Sequence, residues 1–359
     1  MRKVAGTLVS LLLCGALLTG CGTGGSSSSA PQQPSESVSA SQEESAPESS
    51  GEPAEPETQT EIRVAALKGP TAMGMVKLME DAKDQALDGN HYTFTIVPAI
   101  DEVTPKLVQG EVDIAAVPAN LAAVLYNNTD GQVQVLGINT LGVLYLVESG
   151  DTVQSAEDLR GKIIYASGKG ATPEYALNYI LSQNGLDPEQ DVTIEWKSEH
   201  SECVAALLSQ ENAIAMLPQP FVTTAQLKNE QIRIALDLTK EWDAVQKDAQ
   251  HPSALLTGVV VGRKAFLQEN PQAISAFLDH YKVSVDYVNG NLSEAAALIE
   301  EFDIVPAAVA QKAIPYCNIT LLEGTEMKDK LSGYLAVLAE QNPKAVGGAL
   351  PDDAFYYIR

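Results

Sequence analysis

Cations are scarce in this sequence: 23 Lys and Arg stand against 47 Asp and Glu, for a formal net charge of −24. A chain so poor in positive charge is read as no binder of nucleic acid, whose affinity comes from Lys and Arg contacts to phosphate. The charge of a whole surface does not fix that of a cleft, so the sign of a small ligand stays open. Cysteine and histidine are also sparse, with four of each in 359 residues. None of them clusters at metal-ligand spacing, so no metal site and no cofactor are expected. The phosphate-loop pattern GxxxxGK[ST], the dinucleotide fingerprint and GxSxG are all absent, which leaves no nucleotide site and no nucleophile elbow. No histidine stands beside a Ser or Cys nucleophile signature, and no catalytic residue is assigned. No apolar run is long enough for a convincing membrane span.

What the sequence does contain starts at its N-terminus. Arg2 and Lys3 precede an apolar run from Val4 to Leu18, the charge-then-apolar pattern of a secretory signal. Leu18-Thr19-Gly20-Cys21 then resembles a bacterial lipobox. That resemblance implies removal of residues 1–20, a diacylglycerol on the Cys21 thiol, and contact with the extracytoplasmic membrane face through lipid alone. From Gly22 to about Thr60 the chain is Ser, Pro, Gln, Glu and Gly, with Ala the main apolar residue. Such a stretch cannot bury enough apolar surface to fold, so 21–60 reads as a flexible acidic tether. The remainder is long enough for about two domains. It contains Cys203 and Cys317, either two buried thiols or a disulfide, the thiols being the simpler reading.

The chain repeats itself. Leu107–Pro118 and Leu207–Pro218 align without a gap at an offset of 100 positions, matching Leu107/Leu207, Glu111/Glu211, Ile114/Ile214, Ala115/Ala215 and Pro118/Pro218. Each reads as a helix end, a turn, a buried strand and a Pro-marked loop. The register extends outward: strand 62–67 matches 162–166, strand 92–97 matches 192–196, and strand 133–138 matches 232–238, with helices at 75–86 and 174–184. Short apolar strands alternating with helices imply two Rossmann-like α/β units, each with a parallel sheet covered on both faces. After each unit comes one more apolar strand, 141–147 and 255–261, where the chain crosses between domains. This places one domain at 61–140 plus 252–359 and the other at 141–251, with a ligand cleft between them. The C-terminal part carries helical spacing and is expected to pack back on the first domain.

In open α/β sheets ligands bind beyond the carboxyl ends of the strands. Here each unit's first strand runs into a Gly/Thr loop that opens a helix: Lys68-Gly69-Pro70-Thr71-Ala72-Met73-Gly74 and Ser167-Gly168-Lys169-Gly170-Ala171-Thr172. These glycines either admit a ligand close to the backbone or merely make tight turns. The pairing of the two loops favours the ligand reading, with Thr71 and Thr172 as hydroxyl donors, Gly74 and Gly170 as points of close approach, and Lys68, Pro70, Met73 and Ser167 beside them. The later strand ends add Asn120, His200, Gln219 and Phe221. Phe221 and Trp242 suit stacking on a flat ligand or core packing equally. No Arg falls in these loops, since Arg63, Arg160, Arg233 and Arg263 lie in or beside strands and helices.

Ile62–Gly74, Val108–Asn120, Ala156–Thr172 and Pro351–Tyr357, together with the lipobox and tether, resemble a bacterial ABC-transporter substrate-binding lipoprotein. The nearest group is that of nitrate, sulfonate, taurine and thiamine-precursor binders, although the cysteine-rich motif of the last has no counterpart here. The resemblance implies the type II periplasmic-binding fold. It also implies a non-enzymatic role: two domains close on a small anion or heterocycle and deliver it to a membrane permease and ATPase. A surface sensor or adhesin with the same cleft, and a menaquinone-pathway-like enzyme of similar fold, are the alternatives. For the anchor, Cys21→Ala is expected to leave the protein unlipidated, shed or held as precursor. Metabolic labelling with a fatty acid checks this, and label retained by the variant contradicts it.

Overall fold

The computed structural model describes residues 59–98, 100–247 and 253–359, all within one compact unit, Glu55–Arg359. Residues 1–20, Cys21, the tether through residue 58 and His251 lie outside the described residues.

The first repeat comprises β1 (Thr60–Leu67), α1 (Pro70–Met73), α2 (Val76–Asp81), β2 (Asn90–Val97), α3 (Val103–Gln109), β3 (Ile114–Pro118), α4 (Ala119–Asn128) and β4 (Val133–Leu141), and the strand β5 (Leu144–Glu148) follows it. The second comprises β6 (Ile163–Ser167), α5 (Thr172–Gln183), β7 (Thr193–Lys197), α6 (His200–Ser209), β8 (Ile214–Pro218), α7 (Phe221–Lys228), β9 (Arg233–Asp237) and α8 (Leu238–Gln246), followed by β10 (Leu256–Arg263). The remainder is α9 (Lys264–Glu269), α10 (Pro271–Gly290), α11 (Leu292–Glu301), α12 (Ala307–Ala313), β11 (Ile319–Leu322) and α13 (Gly324–Gln341).

These strands make two sheets, ordered β11-β4-β10-β3-β1-β2 and β7-β6-β8-β5-β9. Within each repeat the strands run the same way, as the buried, unalternating apolar runs imply. The expectation of purely parallel sheets needs correction. β5 leaves the first repeat to pair antiparallel with β8 and β9, and β10 leaves the second to pair antiparallel with β3 and β4. Each sheet is therefore completed by a strand that follows the other repeat. A further edge strand, β11, pairs antiparallel with β4.

Three apolar clusters hold the layers. Ile62, Val64 and Ala66 of β1 pack with Met73, Met79, Phe277 and Tyr281 under α1, α2 and α10. Tyr145, Tyr165, Cys203 and Val222 pack between the second sheet and α6 and α7. The third cluster runs without a break from Val117 and Ala122 to Tyr175 and Trp242 by way of Tyr334 on α13. The last helix therefore bears on both halves and not, as the sequence suggested, on the first alone. Its Tyr334 ring lies 5.7 Å from the Trp242 ring, and its hydroxyl donates to Thr172 Oγ1 at 3.1 Å. A second correction concerns α2, which ends at Asp81 and not at residue 86, because Leu87 is drawn into a backbone bridge with Asn90 through a turn at Asp88 and Gly89.

Buried carboxylates tie the amino ends of the parallel strands. Asp113 accepts from Arg63 at 2.7 and 2.8 Å and from Arg263 at 2.6 Å, joining β1, β3 and β10. Glu148, fully buried at the end of β5, accepts from the Thr152 and Val153 amides and from Arg233 at 2.7 Å. Burial opposes its charge, but the hydrogen bonds from Thr152 and Val153 and the Arg233 guanidinium outweigh it and hold the carboxyl below its ordinary range. A depressed folded value contributes stability above the unfolded pKa and loses it as pH falls through the folded one. Glu148→Gln is expected to cost about 2–4 kcal/mol at pH 7, since it leaves Arg233 without its counter-charge. Urea unfolding should show the wild-type advantage shrinking below about pH 4.5, the carboxyl's ordinary value. A pH-independent difference contradicts this.

Candidate functional site

A cavity of about 680 Å³ opens at the carboxyl ends of the strands and takes its walls from both halves. Leu67, Lys68 and Gly69 after β1, Pro98 after β2, and Ile304 and Val305 before α12 form one wall. Ser198, Glu199, His200 and Ser201 at the start of α6, with Pro220, Phe221 and Thr224 at the start of α7, form the other. A second groove of about 470 Å³ lies between α7 and the α12 region, lined by Thr223, Leu227, Lys312 and Tyr316.

His200 is the most perturbed group of the cavity. Its Nδ1 shares a hydrogen bond with Ser167 Oγ at 2.5 Å, and its ring lies 4.9 Å from that of Phe221. Burial lowers its pKa from 6.5 to about 4, so the imidazole is neutral at physiological pH. Ser167 is buried at the end of β6, also beside the Cys203 thiol, which burial pushes up. Helix α6 starts with a capping box: Glu199 accepts from the Glu202 amide, and Glu202 reaches back to the amides of Glu199 and Ser198.

Of the residues singled out in the sequence, Lys68, His200 and Phe221 line this cavity, and Ser167 positions His200 from behind. The others lie elsewhere. Thr71 is buried, and its hydroxyl donates to Leu67 O at 2.7 Å, a turn back along its own chain. Met73 is fully buried with its sulfur 4.0 Å from Cys317 Sγ, and Pro70 is the half-buried first residue of α1. Gly74 faces the core and not a ligand: a Cβ there would meet Ile319 Cγ2 at 2.9 Å, and its carbonyl accepts from Ser284. Gly170 is exposed, with its amide given to Glu174 at 2.6 Å. The loop holds both glycines in the left-handed region, Gly170 at φ +79° and Gly168 at φ +84°, and at Gly168 a Cβ would also stand 2.8 Å from Pro173. Asn120 and Thr172, from opposite halves, meet each other at 3.4 Å, and Asn120 also donates to Ala345 O. Gln219 is buried beneath Pro220. Its Oε1 accepts from Thr223, and its Nε2 has no partner. Trp242 is core, with its indole N–H on Ser253. Cys203 and Cys317 are separate free thiols, both buried.

Ile304 and Val305 were missed because nothing in the α11–α12 connection distinguishes them locally. They reach the cavity only through the tertiary fold. Among the described residues no group of three or more His, Cys, Asp or Glu is placed to hold a metal, and no helix is long and apolar enough to cross a membrane.

Curated sequences give no match. Among solved structures, an ABC transporter protein from Parabacteroides distasonis superposes with a TM-score of 0.70 at 27% identity, covering 83% of this chain and 99% of its own. The periplasmic aliphatic sulphonate-binding protein SsuA from Escherichia coli gives 0.64 at 17% identity, covering 82% and 91%. A Candida albicans protein described as having the generic periplasmic binding protein fold gives 0.51 at 17% identity, covering 82% and 92%. The last two establish the fold alone. The family model described as "ABC transporter, phosphonate, periplasmic substrate-binding protein" matches residues 76–311. A match of that extent takes in strands of both sheets, and the chain therefore belongs to this family of periplasmic substrate-binding proteins of ABC transporters.

Proposed function

We propose that the protein is the lipid-anchored solute receptor of an ABC importer. Cys21 holds it on the extracytoplasmic membrane face, and the acidic segment to residue 60 spaces it from the bilayer. Residues 61–140 with 252–359, and residues 141–251, act as two domains that close on a small molecule and present it to the permease and ATPase. The observation that most supports this reading is the cavity of about 680 Å³ whose walls come from both halves. A solute touching both walls makes more contacts when the halves are together, and it favours closure by that difference in affinity. Asn120, Thr172 and Tyr334 then act as a polar latch where both halves already meet. His200, Phe221, Ser198 and Lys68 face the solute. Ser167 orients His200, and Gln219 supports the Pro220–Phe221 turn. Pro70, Thr71, Met73 and Gly74 shape the first loop from behind.

Three outcomes are expected. Native mass spectrometry of protein purified from its own membranes should reveal a retained solute. Calorimetry with that solute should show Phe221→Ala and His200→Ala weakening binding by about tenfold or more, near 1.4 kcal/mol each. Wild-type affinity in both variants contradicts the assignment of the cavity. In the ligand-free protein the His200 imidazole should titrate near about 4 by NMR. Because that value lies below the unfolded one, the group's contribution to stability is lost as pH falls from about 6.5 toward 4. A midpoint above 6 would show that the ring is not desolvated.

A further inference from the structure

We propose that the solute held in the cleft is uncharged, a compact molecule with a flat ring, and not a phosphonate, a sulfonate or another anion; this builds on the solute-receptor reading above. An anion in an α/β cleft is held by helix N-terminal amides, by Arg or Lys, or by protonated His. In this protein the charged hooks on the cavity wall are already matched or neutral, and carboxylates of the chain itself stand at the helix start.

At the start of α6, Glu199 accepts from the Glu202 amide while Glu202 accepts from Ser198 N at 2.8 Å and Glu199 N at 3.3 Å. The chain's own carboxylates thus already take three of the amides at this helix start and set negative charge beside them. In the loop before α5, the Gly170 amide donates to Glu174 Oε2 at 2.6 Å. Lys68, the one lysine on the cavity wall, is paired with Asp303 at 3.0 Å. Arg63 and Arg263 are bound to Asp113, Arg233 to Glu148, and Arg160 to Asp191, all toward the amino ends of the strands. His200 is neutral. An incoming dianion would give up its water for a wall holding Glu199, with Asp303 beside it, and one cation that is already matched.

What remains on the walls suits a neutral guest. The His200 and Phe221 rings stand on one side, with Leu67, Pro98 and Val305 opposite, leaving an apolar slot. Among the described residues, the Ser198 hydroxyl and the His200 Nε2 have no protein partner. They offer two uncharged hydrogen-bonding groups to orient a ring, the composition expected of a pocket for a small neutral molecule.

The test is thermal melting and calorimetry of the full chain in detergent with two sets of probes: uracil, hypoxanthine and nicotinamide, against methylphosphonate, ethanesulfonate and inorganic phosphate. At about 1 mM, at least one neutral probe should raise the melting temperature by about 3 °C or more. Phe221→Ala should abolish that shift, and the affinity should change by less than about twofold as NaCl rises across the range that screens charge. The anions should give no shift beyond that of equal NaCl. A shift from methylphosphonate or ethanesulfonate that Phe221→Ala removes overturns the proposal and leaves solute capture standing. No shift from any neutral probe overturns the proposal, and if native mass spectra also show no retained solute, the solute-receptor reading falls with it.

Discussion

Strand exchange between the two repeats is the constraint on which the rest of the architecture depends. β5 follows the first repeat but is sandwiched between β8 and β9. β10 follows the second but lies between β3 and β4. Val147, Val259, Val260 and Val261 are fully buried, so neither exchanged strand can leave its host sheet without exposing a large apolar area. The chain is thereby stitched between the halves at two short crossings. Two sheets joined in this way can present the carboxyl ends of their parallel strands to each other, and the cavity lies there.

The exchange also sorts the charges. The ends of β3 and β5 away from the cavity gather Asp113 and Glu148, each closed by arginine. Buried pairs of this kind are weak contributors to net stability against an apolar alternative, but removing one partner is costly, so they fix which strands lie side by side. The cavity end has the opposite character: hydroxyls, a neutral imidazole, aliphatic walls and one helix start, that of α6, capped by glutamates. The acidity of the whole chain therefore says little about the cleft, whose chemistry follows from a few local pairings.

Much of the scaffold was legible because its signals are local or periodic. The offset of 100 positions between Pro118 and Pro218 marked equivalent strand ends, and the extra apolar runs near 144 and 256 marked the exchanged strands. The site was legible only in part. His200 and Phe221 stood at strand-to-helix turns and proved to line the cavity, whereas Thr71, Met73 and Gly74 stood in an equally suggestive loop and proved to be packing. The same Gly-rich pattern serves a ligand or a tight helix contact, and only the partner decides. For Gly74 that partner is Ile319, far along the chain. Likewise Tyr334, which joins the halves through Thr172, sits on a helix whose spacing gave no sign that it touches both.

The central claim is that one small solute engages both halves through the cavity at the strand ends. Hydrogen–deuterium exchange with and without the retained solute tests it most directly. The account predicts slower exchange in Leu67–Gly69 and, together with it, in Ser198–Ser201 and Phe221–Thr224, since these backbone segments form the facing walls. Protection confined to one half, or centred on the groove between α7 and Tyr316, would contradict it.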